Sequence, residues 1–317
     1  MKVRIGIIGA GHMGSTHGRI LAQDPRVELV GIADIVPEKA ARLAQEVGSA
    51  SYSSLEALLD QGIEALYVTT PNSLHLQPVI TALSAGLHVF SEKPMATSLA
   101  EARKILGAAK KAKGIYQIGF NYRFAPVHQF ARQLIEEGTL RPYHVHIKDN
   151  RGELIDPPWV ANTQITGGYL YESTIHTLDL VQWLVGAEIK SLKWAARSNR
   201  YEELDDFALL FEFTQGSIAT LDSCAHASWL FPAGCIEIFG DHATLLTEEM
   251  DRVKYTLGLK KEVLVRDYLQ LPTESRWGYV AEDRLFIDAI LEGKPSAVPA
   301  EQAFRIIELI DSLYTQS

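Results

Sequence analysis

Three groups of residues combine side chains and spacings suited to chemistry. The first is Gly9-Ala10-Gly11-His12-Met13-Gly14, which directly follows a short apolar run over residues 3–8 and opens a helical pattern. In such a turn the first glycine permits the tight bend, the second lets the backbone approach a pyrophosphate, and the third lets helix and strand pack closely. The N–H groups that begin the helix then face the phosphate charge. A second β-branched run, residues 27–33, ends at Asp34, twenty positions after Gly14. A carboxylate there accepts hydrogen bonds from ribose hydroxyls and repels a 2′-phosphate. Ile35, Val36 and Pro37 follow it, with no adjacent cation, so the pattern favours NAD over NADP.

The second group is Glu92-Lys93-Pro94, placed after the apolar run 88–90. That is the carboxyl edge, where open α/β sheets hold their ligands. An ammonium there, with the following chain restricted by proline, can hydrogen-bond a reacting oxygen and stabilise its negative charge. The alternative is a solvated surface amine. The third group is Glu172, His176 and Asp179, whose spacing of four and three puts them on one face of a helix predicted over 170–184. Histidine is suited to taking an alcohol proton near neutrality, and a carboxylate one turn away orients its ring. A structural histidine between two acids is the competing reading. No cysteine or second nearby histidine completes a metal-ligand set, so no metal is expected.

The elements that must position these groups change character along the chain. Residues 3–8, 27–33, 65–70, 88–90 and 115–118 read as strands. They alternate with helical patterns over 13–23, 37–47, 55–59, 74–85 and 99–113. Apolar strands separated by helices predict a doubly wound parallel sheet covered on both faces. After Asn121 a helix over 127–137 leads to strands over 143–150, 189–195, 207–213, 218–223, 235–239 and 253–257, mostly without helices between them. Those predict a largely antiparallel open sheet in an α+β domain, closed by helices over 279–291 and 301–313. The expected domains are residues 1–121 and 122–317.

Composition narrows the function classes. The 317 residues carry a formal charge of −9, with 47% hydrophobic and 22% charged residues. That acidic balance, without a basic run, argues against nucleic-acid binding. No apolar stretch is long enough to span a bilayer, and the opening residues lack a secretory pattern. Two cysteines, Cys224 and Cys235, make no disulfide framework and point to a reducing, cytoplasmic setting.

Four motifs, in order and at consistent intervals, resemble those of the glucose-fructose oxidoreductase / inositol dehydrogenase / rhizopine catabolism (Gfo/Idh/MocA) family. They are the glycine turn, Thr70-Pro71-Asn72-Ser73-Leu74-His75, Glu92-Lys93-Pro94, and the segment from Gly167 to Asp179. The resemblance runs from end to end and implies a Rossmann domain binding NAD. It further implies a second domain that binds a sugar or polyol and associates with other copies through its sheet, as a homodimer or homotetramer. It implies catalysis by Lys93 and His176 with Glu172. Thr70, Pro71, Asn72 and His75 are expected on the nicotinamide side, and Glu92 and Asn121 at the cofactor. Asn121 and Arg123 are candidate substrate contacts, with a salt bridge as the alternative for Arg123. Trp159, Tyr169 and Trp229 are candidate walls for a sugar ring, or core aromatics.

The chain departs from the family pattern at two positions, with Glu172 where aspartate is usual and Thr174 where glycine is usual. The extra methylene moves the carboxylate by about 1.5 Å, which bears on the substrate rather than on the reaction type. The expectation is an NAD-dependent dehydrogenase of a sugar, inositol or related cyclic polyol. The alternatives are a catalytically silent NAD- and sugar-binding regulator, or an NADPH-dependent sugar ketone reductase.

Overall fold

A strand that is apolar on both faces has to lie inside a sheet that is covered on both sides, and Val3–Ile8 does. The computed structural model describes residues 2–150, 158–228 and 233–315. Among the described residues, β1 (Val3–Ile8), β2 (Val27–Ala33), β3 (Ala50–Tyr52), β4 (Ala65–Val68), β5 (His88–Glu92) and β6 (Tyr116–Gly119) form a parallel sheet in the order β3-β2-β1-β4-β5-β6. Helices His12–Gln23, Pro37–Val47, Leu55–Leu59, Leu76–Ser84 and Leu99–Ala109 connect them. The order reverses at β1, so the carboxyl ends of β1 and β4 form the switch point where such sheets bind ligands. Strand β3 was not expected, because Ala50-Ser51-Tyr52 is too short and polar to stand out as a run. It pairs at the edge, beside β2.

The second sheet contains β7 (His144–Asp149), β8 (Ile189–Arg197), β9 (Asp206–Phe213), β10 (Ile218–Cys224), β11 (Gly234–Phe239), β12 (Ala243–Glu248), β13 (Arg252–Leu257) and β14 (Leu264–Asp267). Their order is β14-β13-β12-β11-β7-β10-β9-β8. All neighbours pair antiparallel except β7 and β10, which run parallel where antiparallel pairing was expected. Between β7 and β10 the chain passes through the helix Ile175–Val185 and through β8 and β9, and a connection of that length permits parallel pairing. Strands β12 and β14 add to the predicted set. On β7, Val145 and Ile147 are buried while His144, His146 and Lys148 are half-exposed, as the alternation predicts.

Contacts divide the chain into two compact units. One holds the chain through Phe120, residues 164–167 and the closing segment from Val280; the other holds Asn121–Thr163 and Gly168–Tyr279. Residues 122–317 are therefore not one contiguous unit. The last two helices, Tyr279–Glu292 and Ala300–Thr315, join the parallel sheet rather than the sheet that precedes them. Phe286 and Ile287 complete the core built by Ile5, Ile7, Ile32, Tyr67 and Phe90, and Val298 accepts a hydrogen bond from the Ile118 amide. An apolar helix stripe does not reveal in sequence which sheet it will cover. No helix among the described residues is long and apolar enough to cross a membrane.

Candidate active site

The glycine turn has the geometry its spacing calls for. Gly9 lies at φ +99°, and a Cβ there would stand 2.5 Å from the Thr69 carbonyl oxygen. A Cβ on Gly14 would stand 1.9 Å from the Gly9 carbonyl oxygen, so helix and turn touch only because it has none. Around Gly11, by contrast, a Cβ would meet nothing within 4 Å. That open space faces the start of the helix His12–Gln23, whose N-cap has no side-chain hydrogen bond. His12 is exposed and Met13 half-buried on that first turn.

Asp34 is fixed beside this turn: the Ala10 amide donates to Oδ2 at 2.7 Å and the Val36 amide to Oδ1 at 2.8 Å. Each oxygen keeps a lone pair for a further donor. At the end of β4, the Thr70 hydroxyl is buried with no hydrogen-bond partner among the described residues. A cradle at Gly11, a free buried hydroxyl at Thr70 and an anchored ribose acceptor at Asp34 fit a dinucleotide. Pro71 is exposed, while Asn72 is buried with its amide 3.4 Å from the Thr166 carbonyl.

His75, expected at the cofactor, is fully buried. Its Nδ1 lies 2.8 Å from the Pro94 carbonyl and its Nε2 2.9 Å from the Thr70 carbonyl, and burial holds its pKa below the ordinary histidine range. It ties together the two loops that end β4 and β5 and offers no surface to a ligand. Glu92, also expected at the cofactor, points inward with 6% exposure. Lys93 is half-buried at the end of β5 and precedes Pro94 through a cis peptide bond.

In the second unit, the backbone Leu170–Thr174 takes a π-helical turn before the α-helix Ile175–Val185. Such turns are rare and recur at functional sites. From Leu170 to Val181, Glu172 and His176 are the half-open positions in an otherwise buried stretch. Asp179, one turn on from His176, is buried where Glu172 and His176 are half-open. It is 1% exposed and forms a buried ion pair with Arg123, whose Nε donates to Oδ2 at 2.6 Å. Burial raises the Asp179 carboxyl pKa against the pull of that guanidinium. A buried carboxylate needs a cation, and Arg123 supplies it, so Asp179 is committed to that pair.

Arg123 is thereby committed to the salt bridge that was its alternative role. Asn121, 2% exposed, donates its amide to the Trp277 carbonyl at 2.9 Å and so fastens the loop instead of opening toward a ligand. Tyr169 is fully buried, with its phenol 3.0 Å from the Ser223 hydroxyl, and is core rather than a sugar wall. Trp159 is 40% exposed, and Trp229 lies outside the described residues. Tyr122 stacks on the His176 ring at 4.4 Å between centroids, with the planes 15° apart. Its carbonyl accepts from buried His128 at 2.7 Å, and burial holds the His128 pKa down to about 4. A cavity in this unit is lined by Tyr122, Lys148, Asp149, Thr177, Cys235 and Glu249. Ile147, Leu180, Ile236 and Met250 also line it and make most of its surface apolar, and sequence reading did not group Lys148 and Asp149 with a site because a strand end has no pattern of its own.

Comparison with known proteins agrees with this geometry. Residues 3–120 match the Gfo/Idh/MocA oxidoreductase family with an NAD-binding Rossmann fold, and residues 128–246 match the Gfo/Idh/MocA C-terminal domain. The chain is 26% identical to myo-inositol 2-dehydrogenase of Thermotoga maritima over 308 residues, 94% of this chain and 91% of that protein. It is 30% identical to scyllo-inositol 2-dehydrogenase (NAD(+)) of Bacillus subtilis over 233 residues, 70% and 67% of the two chains. A levoglucosan dehydrogenase solved with NADH and levoglucosan shares the fold, with a TM-score of 0.89 at 23% identity over 100% of this chain and 97% of that one. The chain belongs to the Gfo/Idh/MocA family of NAD-binding oxidoreductases.

Proposed function

We propose that this protein is an NAD-dependent dehydrogenase that oxidises a secondary alcohol of a sugar, inositol or related cyclic polyol. The observation that carries the reading is the pair His176 and Glu172, half-open on a helix otherwise buried around them. NAD, when bound, supplies the hydride acceptor, held by the Gly9–Gly14 turn, Asp34 and Thr70. His176 receives the hydroxyl proton, which requires a neutral ring. Tyr122 keeps that ring in one plane by stacking on it. Glu172 orients the imidazole or holds a neighbouring substrate hydroxyl. The Lys93 ammonium stabilises the charge that develops on the reacting oxygen. The family names support this chemistry, since the relatives above are inositol and sugar dehydrogenases.

The test is NADH formation from NAD by the purified protein with a panel of inositols and aldoses. Turnover with at least one member is expected; none with any member, in either reaction direction, rejects the reading. The proposed assembly is a homodimer or homotetramer through the second sheet. There Ile218 and Phe239, 38% and 37% exposed, flank His144 on adjacent strands as an apolar patch. Light scattering is expected to give a multiple of 35.1 kDa; a monomer mass across a dilution series rejects the assembly. The free thiols of Cys224 and Cys235 suit a reducing compartment, and the proposed location is the cytoplasm.

A further inference from the structure

A buried charged group lies behind Lys93 that the chemistry above does not use. His17, on the helix after the glycine turn, has no exposure. Its Nδ1 lies 2.8 and 3.0 Å from the two oxygens of Asp283, on the closing segment, and its Nε2 lies 3.0 Å from Glu92 Oε1. Carboxylates at both ring nitrogens are satisfied together only by a ring that donates from both. The other oxygen of Glu92 accepts from the Lys93 backbone amide at 3.1 Å. Glu92 is thus gripped at one oxygen by His17 and grips the lysine's own backbone with the other. One residue further on, the Pro94 carbonyl is held by His75.

We propose that His17 is a positioning residue for Lys93: its ring, donating to Asp283 and Glu92, sets the Glu92 carboxylate that anchors the Lys93 backbone, and so places the ammonium for reaction. The inference rests on the reading that Lys93 acts on the reacting oxygen. A competing role is available, because His17 also sits on the helix that follows the cofactor turn, and a purely structural role there acts on NAD affinity.

The experiment compares His17→Gln, Glu92→Ala and Glu92→Gln in the full chain, using the panel sugar that the native protein turns over fastest. His17→Gln and Glu92→Ala are expected to lower kcat by about 10-fold or more, since small misplacements of a reacting group are costly. The NAD dissociation constant, read by fluorescence titration, is expected to stay within about twofold, because the cradle itself is untouched. Glu92→Gln retains an acceptor for the Lys93 amide and a polar group toward His17, and is expected to keep most of the native kcat. Loss of NAD affinity with kcat unchanged overturns the proposal, as does Glu92→Gln falling as far as Glu92→Ala.

A readout independent of turnover separates this proposal from the one beneath it. The ¹³C-dimethyl-lysine resonance of Lys93, assigned by its disappearance in Lys93→Arg, is expected to move in His17→Gln and Glu92→Ala but not in Glu92→Gln. If it stays fixed in all three, His17 does not position Lys93. If it moves while Lys93→Ala retains native kcat, the placement holds and the catalytic role of Lys93 fails. Should His17→Gln not fold, the contrast between the two Glu92 variants decides alone.

Discussion

Each of the two proposed reacting residues stands in front of a buried ionic group, and the two groups are built differently. Behind Lys93, Glu92 and Asp283 close on the His17 ring, and the hydrogen bonds run directly to the lysine's own backbone. Behind His176, Arg123 and Asp179 pair against the buried part of the helix, and Tyr122, the neighbour of Arg123, stacks on the histidine ring. The first group contains an ion that titrates; the second uses a guanidinium that does not. The difference teaches how a loop and a helix solve the same problem. A lysine on a strand end has no scaffold of its own and needs its backbone held by side chains. A histidine on a helix has its backbone fixed already and needs only its ring held.

Four changes break or sharpen this contrast. Arg123→Ala leaves Asp179 buried without its cation and is expected to cost about 3–5 kcal/mol of unfolding free energy in urea titration. Replacing both residues by apolar ones of similar size, as in Arg123→Met with Asp179→Leu, is expected to recover most of that loss; no recovery means the pair does more than satisfy itself. Lys93→Ala is expected to reduce kcat by about 100- to 1,000-fold with NAD affinity unchanged, the size of losing one stabiliser of a developing oxyanion. Steady-state kinetics and a binding titration read both numbers. His176→Asn is expected to lower kcat/KM about 100-fold and to remove the acid limb of the pH profile for alcohol oxidation, since a base must be deprotonated to act. A mutant that keeps the native limb makes the residue structural.

The smallest effect is a pH slope in stability. The groups facing His17 are Asp283, Glu92 and the Tyr67 ring. Burial penalises its charge, but the two carboxylates prevail and hold its pKa well above the ordinary range. A raised folded-state value stabilises fully below the unfolded pKa and loses that contribution as pH rises through the folded value. Asp283→Asn is therefore expected to cost about 1.5–3 kcal/mol on the acid side of the window, the worth of a hydrogen bond to a charged group. The gap from the native protein is expected to narrow as pH rises from the ordinary histidine range toward the raised value of the native ring. Urea titrations across that range measure it, and a gap that widens with pH contradicts the assignment. No such slope is expected for the Arg123 pair over the same range.

The same contrast explains what could be read before the fold was known. The glycine turn, Asp34 and the position of Lys93 were legible because their chemistry depends on spacing within one βα unit. The spacing of four between Glu172 and His176 was legible as well, and the structure shows both half-open in a buried stretch. His17 carried no such signal: its partner Asp283 lies 266 residues away, and a histidine inside a helical pattern gives no hint of two carboxylates. His75, Asn121 and Arg123 stand beside the right residues in sequence, yet His75 and Asn121 bond to backbone carbonyls and Arg123 to Asp179. A neighbouring position names a loop but not the direction of a side chain. The π turn at Leu170–Thr174 was hidden because its residues fit an ordinary helix equally well.

The return of the closing segment to the first sheet sets a schedule for synthesis. When Phe120 leaves the ribosome all six parallel strands exist, but Phe286, Ile287 and Asp283 do not. At ordinary elongation rates the 159 residues between Phe120 and Val280 take about 10–30 s to make, far longer than strands and helices need to collapse. Over that interval the nascent sheet carries an open core, and the His17 ring has one carboxylate instead of two. The second unit can finish folding while the first waits. The nucleotide-binding half, first to be translated, is the last to be completed, and a chaperone would meet it as an unfinished sheet with its apolar centre on view.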